Sequence, residues 1–218
     1  MQTLCDATGF SISEMKRIYR GFKTECPSGL ITEEAFHSIY SRFFPQGAPF
    51  IWSDIRGYVH CSGEWAGKKK VSKKEQKALD LQSAQAALSS YSHYVFSTLD
   101  RNDSGVITFQ DFVVGLSILI RGTLEEKLRW TFSLYDQDRD GVISREEMED
   151  VVGSVFDLMG RTGDPISEEA IITERVDQIF QKMDLNGDGV VSIEEFLESC
   201  QNDETISRSV QAFTNVHI

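Results

Sequence analysis

Twelve-residue stretches that place oxygen-bearing side chains around a fixed glycine recur along this chain, and they constrain its fold more than anything else in the 218 residues. Asp136-Gln137-Asp138-Arg139-Asp140-Gly141-Val142-Ile143-Ser144-Arg145-Glu146-Glu147 is one copy, and Asp184-Leu185-Asn186-Gly187-Asp188-Gly189-Val190-Val191-Ser192-Ile193-Glu194-Glu195 is another. The spacing suits Ca²⁺, which takes six to eight oxygens at about 2.3–2.6 Å. Side chains at positions 1, 3 and 5 are Asp136, Asp138 and Asp140 in one loop and Asp184, Asn186 and Asp188 in the other. Position 7 offers a backbone carbonyl (Val142, Val190), position 9 acts through water (Ser144, Ser192), and position 12 is a bidentate glutamate (Glu147, Glu195). Glycine at position 6 permits the sharp turn. The aliphatic residue at position 8, Ile143 or Val191, is expected to form a short β-bridge with its counterpart.

A weaker copy runs from Asp100 to Asp111, with Asp100, Asn102, Ser104, Val106, Thr108 and Asp111 at the ligand positions. Its last residue is aspartate, one methylene shorter than glutamate and a poor bidentate ligand. Two carboxylates serve its ligand positions, against four in the 136–147 loop and three in the 184–195 loop. Such a site should take Mg²⁺ or bind Ca²⁺ weakly. A fourth copy at 24–35 has Thr24, Cys26 and Ala35 where ligands belong, and Pro27 stiffens its turn. It should hold no metal and should act structurally, with Ile31 bridging to Ile107. Helices are expected near 11–23, 33–43, 90–99, 109–120, 124–134, 145–159, 168–183, 193–201 and 204–213, with a linker at 160–167. Thr123–Glu126, Ser144–Glu147 and Ser192–Glu195 read as capping boxes. The expected fold is all-α: two lobes of paired helix–loop–helix hands, 1–120 and 121–218, the first loop degenerate.

The first two loops start 76 residues apart and the second and third 36, so about 48–88 reads as an insertion. It carries Trp52, Trp65 and the lysines Lys68, Lys69, Lys70, Lys73, Lys74 and Lys77, and is read either as a basic interaction segment or as a solvated excursion. Two apolar stripes could line a groove for an amphipathic helix: Phe36, Ile39, Tyr40 and Phe43 on one helix, and Phe109, Phe112, Leu116 and Leu119 on another. Enzyme chemistry has no foothold. None of His37, His60, His93 and His217 lies in HExxH, and no GxSxG elbow occurs. The net charge of −12 disfavours nucleic acid. Scattered cysteines (Cys5, Cys26, Cys61, Cys200) and a start without a signal peptide suggest a reducing, cytoplasmic setting.

The loops resemble those of the EF-hand superfamily. Within it, Tyr19-Arg20-Gly21-Phe22-Lys23, the Cys26-Pro27 lesion and the run from Arg121 to Trp130 resemble the neuronal calcium sensor family. Phe43-Phe44-Pro45-Gln46-Gly47, Leu116 to Gly122, Phe196 to Gln201 and Phe213-Thr214-Asn215-Val216 are similar to Kv-channel-interacting proteins. The resemblance spans about 10–48 and 89–217. It implies an auxiliary subunit that clamps the cytoplasmic N-terminal segment of Shal-type voltage-gated potassium channels, modulating gating and surface expression. It also implies Ca²⁺ in the 136 and 184 loops, membrane association only through the channel, and a groove built from Phe36, Ile39, Tyr40, Phe109, Phe112, Leu116, Leu119 and Phe213. Gln2 stands where N-myristoylation needs glycine, so no acyl switch is expected. The alternatives are a nuclear, calcium-released transcriptional repressor, a calcium-dependent regulator of another target, and a simple Ca²⁺ buffer.

Overall fold

A computed structural model describes residues 1–43, 88–158 and 165–203. The insertion up to residue 87, the 204–213 helix, Phe213 and the side chain of Phe43 lie outside the described residues. In chain order the elements are α1 (Gln2–Thr8), α2 (Ile12–Glu25), β1 (Leu30–Thr32), α3 (Glu33–Phe43), α4 (88–99), β2 (Val106–Thr108), α5 (Phe109–Arg121), α6 (Leu124–Tyr135), β3 (Val142–Ile143), α7 (Arg145–Leu158), α8 (Pro165–Met183), β4 (Val191–Ser192) and α9 (Ile193–Asn202).

The strands are short because each is only the position-8 stretch of a loop. β1 pairs antiparallel with β2, placing Ile31 opposite Ile107, and β3 pairs with β4, placing Ile143 opposite Val191. All four side chains are buried. Both bridges match the sequence expectation, so the degenerate 24–35 loop does serve as a structural partner of the 100–111 loop.

Helix starts are fixed by reciprocal capping. Ser11 with Glu14, Thr108 with Asp111, Thr123 with Glu126 and Ser192 with Glu195 each form a complete capping box. α8 begins at Pro165, inside the stretch expected to be linker. Proline is favoured at the first helical position, where its missing N–H has no acceptor to serve.

α1 has no counterpart in the sequence expectation. Its cap Met1 offers no side-chain hydrogen bond, and it ends at Gly9, whose φ of 68° lies in the left-handed region. Tertiary contact holds it instead. Cys5, Phe10, Met15 and Val113 form a small core, with Leu4, Ile18, Phe109 and Leu116 packed at its edge. Arg121 closes this corner: its guanidinium lies 4.6 Å from the Phe10 ring centroid, donates to the Gly9 carbonyl and pairs with Glu14 at 2.7 Å.

The main core is continuous through both strand pairs. Phe22, Ile31, Phe36, Phe96 and Ile107 from the first half join Leu128, Phe132, Ile143, Val176, Phe196 and Cys200 from the second. α4 and α5 approach so closely that a Cβ on Gly115 would sit 2.1 Å from Leu99 Cδ2.

Candidate metal centre

The 136–147 loop leaves α6 at Asp136, whose amide still donates to the Phe132 carbonyl at 3.0 Å. Arg139 and Gly141 take left-handed backbone (φ 61° and 92°), which turns the chain tightly enough to bring carboxylates together. Oxygens of Asp136, Asp138 and Glu147 lie within 4.8 Å of one another. Asp140 lies outside that cluster; its Oδ1 accepts from the Val142 amide at 3.0 Å. Glu147 folds back over the loop. Its Oε1 accepts from the Gln137 amide at 2.8 Å, while Oε2 accepts from the amide and hydroxyl of Ser144, each at 2.8 Å.

Asp136 carries the diagnostic atom. Its Oδ2 accepts from the Gly141 amide at 3.2 Å, but its Oδ1 is buried with no hydrogen-bond partner. A buried carboxylate oxygen facing other carboxylates has no donor to satisfy it, and a hard cation supplies what is missing. Burial holds the Asp136 carboxyl above the usual carboxylate range. The Gly141 amide opposes this, and Glu147, Asp140 and Asp138 add to it. Glu147 goes the other way: burial would raise it, but the hydrogen bonds from Ser144, Gln137 and Asp138 together outweigh burial and hold it low.

The 184–195 loop repeats the hydrogen-bond scheme, but its carboxylates Asp184, Asp188 and Glu195 are not drawn into a cluster as Asp136, Asp138 and Glu147 are. Asp184 Oδ1 accepts from the Gly187 and Asp188 amides (2.7 and 3.1 Å) and Oδ2 from Gly189 (3.1 Å). Asp188 Oδ1 accepts from Val190 at 3.0 Å, and Asn186 Oδ1 from Asp188 at 2.8 Å. Glu195 is buried and spans the loop as Glu147 does, from the Asn186 amide (3.2 Å) to Ser192. The Ser192 amide and hydroxyl, chiefly, hold its carboxyl below the usual range.

The 100–111 loop differs where the sequence says it should. Asp100 accepts from the amides of Ser104 and Gly105 (3.1 and 2.7 Å), and Ser104 turns its hydroxyl to the Val106 carbonyl as well as to Asp100. The Asp111 carboxylate accepts only from the amide and hydroxyl of Thr108. Nothing of Asp111 crosses the loop as Glu147 and Glu195 do. In the 24–35 loop, Gly29 donates to the Cys26 carbonyl and Ser28 bonds Leu30, so the turn is closed without a carboxylate.

The groove candidates are partly absorbed into packing. Phe36 is buried, with ring centroids 5.8 Å from both Tyr40 and Phe96. Phe109 lies 4.9 Å from Tyr19 and 5.2 Å from Phe22. Leu116 faces the small α1 core, whereas Ile39, Tyr40, Phe112 and Leu119 lie half-buried at the edge of the main one. Arg139 is the residue that the ligand pattern misses: it supplies no ligand, yet reaches from its loop to the end of α4.

Paired helix–loop–helix units joined by two-stranded bridges, with three of the four loops ending in a carboxylate that caps the exiting helix, form the arrangement of EF-hand pairs. Residues 125–201 match the family model of an EF-hand domain pair, and residues 92–117 match a second model of an EF-hand domain pair. EF-hand domains imply Ca²⁺ binding, and the Asp136, Asp138 and Glu147 oxygens form the acidic cluster where that chemistry fits. Residues 24–35 lie outside both matched stretches, and the β1–β2 pairing agrees with their reading from the sequence as a degenerate hand.

Proposed function

We propose that this chain is a calcium-sensing regulatory subunit that binds the cytoplasmic N-terminal segment of a Shal-type voltage-gated potassium channel, at the inner face of the plasma membrane. The observation that carries the calcium half is the unpartnered buried oxygen of Asp136 among carboxylates. Asp136, Asp138, Asp140, Glu147 and the Val142 carbonyl would hold one ion; Asp184, Asn186, Asp188, Glu195 and the Val190 carbonyl would hold a second, with Ser144 and Ser192 acting through water. The channel half draws on the sequence resemblance and on the half-buried apolar residues Ile39, Tyr40, Phe112 and Leu119. These can exchange contacts with a partner helix without dismantling the inner core. Regulation is the output this site supports, since its carboxylates sit as ion ligands and helix caps and not as an acid–base pair.

The test is capture of the channel's N-terminal peptide by the full chain, with Ca²⁺ uptake measured by calorimetry. Two Ca²⁺ equivalents and peptide capture lost in Phe112→Glu, with the unfolding midpoint retained, are expected. Capture that survives Phe112→Glu in a folded protein rejects the groove. Leu116 is a poorer probe, because its packing against the α1 core makes loss of fold and loss of groove hard to separate.

A further inference from the structure

Position 4 of an ion loop supplies no ligand, and a long cationic side chain there has no part in coordination. In the 184–195 loop that position is Gly187 with φ 75°; in the 136–147 loop it is Arg139, held at φ 61° despite its Cβ. Left-handed backbone is unfavourable for a non-glycine residue, so something compensates. The compensation is visible on both sides of the residue. The Asp140 amide donates to Asp138 Oδ1 at 3.1 Å and the Gly141 amide to Asp136 Oδ2 at 3.2 Å, so the carboxylates of positions 1 and 3 fix the backbone around Arg139.

That backbone aims the guanidinium out of its own loop and at the neighbouring one. Arg139 Nη2 donates to the Ser97 carbonyl at 2.8 Å and to the Asp100 carbonyl at 2.9 Å. Nη1 lies 2.9 Å from the Asp103 carboxylate. Ser97 belongs to the last turn of α4, where carbonyls lack intrahelical partners and a cation is favoured. Asp103 is itself the fourth residue of the 100–111 loop, also at positive φ (50°). A cavity of about 400 Å³ opens beside these contacts, lined by Arg139 with Thr98, Ile118, Trp130 and Ser133 among others. The guanidinium fork is thus a polar connection between the two loops, beside the shared apolar core.

We propose that Arg139 is a positioning residue that couples cation uptake in the 136–147 loop to the end of α4 and the start of the 100–111 loop. The inference rests on the calcium reading above. Asp136 and Asp138, once they share an ion, hold the peptide at 139 still; the guanidinium then caps α4 and steadies the backbone from which Asp100 projects. By linkage, whatever orders the 100–111 loop favours uptake at 136–147 by the same factor.

Hydrogen exchange of the amides in 97–104, followed in the full chain with and without Ca²⁺, tests this. Wild type should show about tenfold slower exchange there with Ca²⁺, the size expected for charge-assisted contacts. Arg139→Ala should lose that slowing while the 136–147 amides still slow and calorimetry still shows uptake. Arg139→Lys keeps the charge without the fork and should lose most of it. Asp103→Asn should retain it, because the Asp103 carboxylate is exposed and screened. Undiminished slowing in Arg139→Ala, or Ca²⁺ uptake by wild type without any slowing at 97–104, overturns the coupling. Absence of Ca²⁺ uptake in calorimetry overturns instead the calcium reading on which it stands.

Discussion

Asp111 and Glu147 hold the same place in their loops, yet they reach different amides. Both cap the helix that follows, through Thr108 and Ser144, but only Glu147 also reaches back across the loop, to the Gln137 amide. One methylene decides whether a carboxylate can cap a helix and close a coordination shell together. Asp111→Glu should therefore add a Ca²⁺ equivalent in calorimetry; an unchanged stoichiometry would move the blame to Ser104 and Asn102. Changing a residue that only supports a metal ligand costs about 10–100-fold in affinity, so Glu147→Gln, which removes a charged oxygen offered to the ion itself, should weaken uptake at its loop by at least about 100-fold. The raised Asp136 carboxyl adds a pH signature. A folded-state value above the unfolded one favours the ion-free fold as pH falls, and protons then compete with the cation earlier than at an ordinary aspartate. Ca²⁺ affinity should thus begin to fall above the usual carboxylate range, and Asp136→Asn should remove that part of the profile along with much of the affinity. The gathering of Asp136, Asp138 and Glu147 was legible in the sequence because coordination dictates residue type at each of those positions. Arg139 was not, since it bonds chiefly to backbone carbonyls and these leave no mark on the side-chain pattern.

At the scale of elements, capping chemistry made most helices readable: Thr123 with Glu126, and Ser192 with Glu195, start helices where the pattern places them. α1 was not readable for the complementary reason. Seven residues without a side-chain cap fall below what forms alone in water, and only contact with α2 and α5 makes them a helix. Phe10→Ala, which removes the ring beneath Arg121, should cost about 3–5 kcal/mol in chemical denaturation, provided this small core unfolds with the rest. A smaller loss, with early exchange of the α1 amides, would show that α1 opens by itself. The approach of α4 to α5 makes a second demand. Gly115→Ala would drive a methyl into Leu99 Cδ2 and should lower stability by about 1–3 kcal/mol, which Leu99→Ala in the same chain should partly relieve at the clash itself.

At the scale of the whole molecule, the loop spacing suggests a division near residue 120, but the core ignores it. Tyr91 of α4 and Tyr135 of α6 are both buried in the same cluster, and burial pushes both phenols up, with Tyr91 adding to the rise at Tyr135. Tyr94 of α4 likewise lies close enough to Asp150 of α7 for that carboxylate to raise its phenol, after burial. Sequence patterns could not show this, because a tyrosine on a helix face reads the same whether it meets its own half or the other. A chain with one core should lose its structure in one step. Without Ca²⁺, unfolding followed through tyrosine environment and through helix content should give coincident transitions. Ions bound only to the two loops of the second half should then stabilise the whole molecule against unfolding, by about 2.7 kcal/mol for each site at a free concentration a hundred times its dissociation constant. If instead Ca²⁺ moved only one of two separable transitions and left the exchange of α2 and α3 untouched, the halves would be independent folding units and the shared cluster would be contact without cooperation.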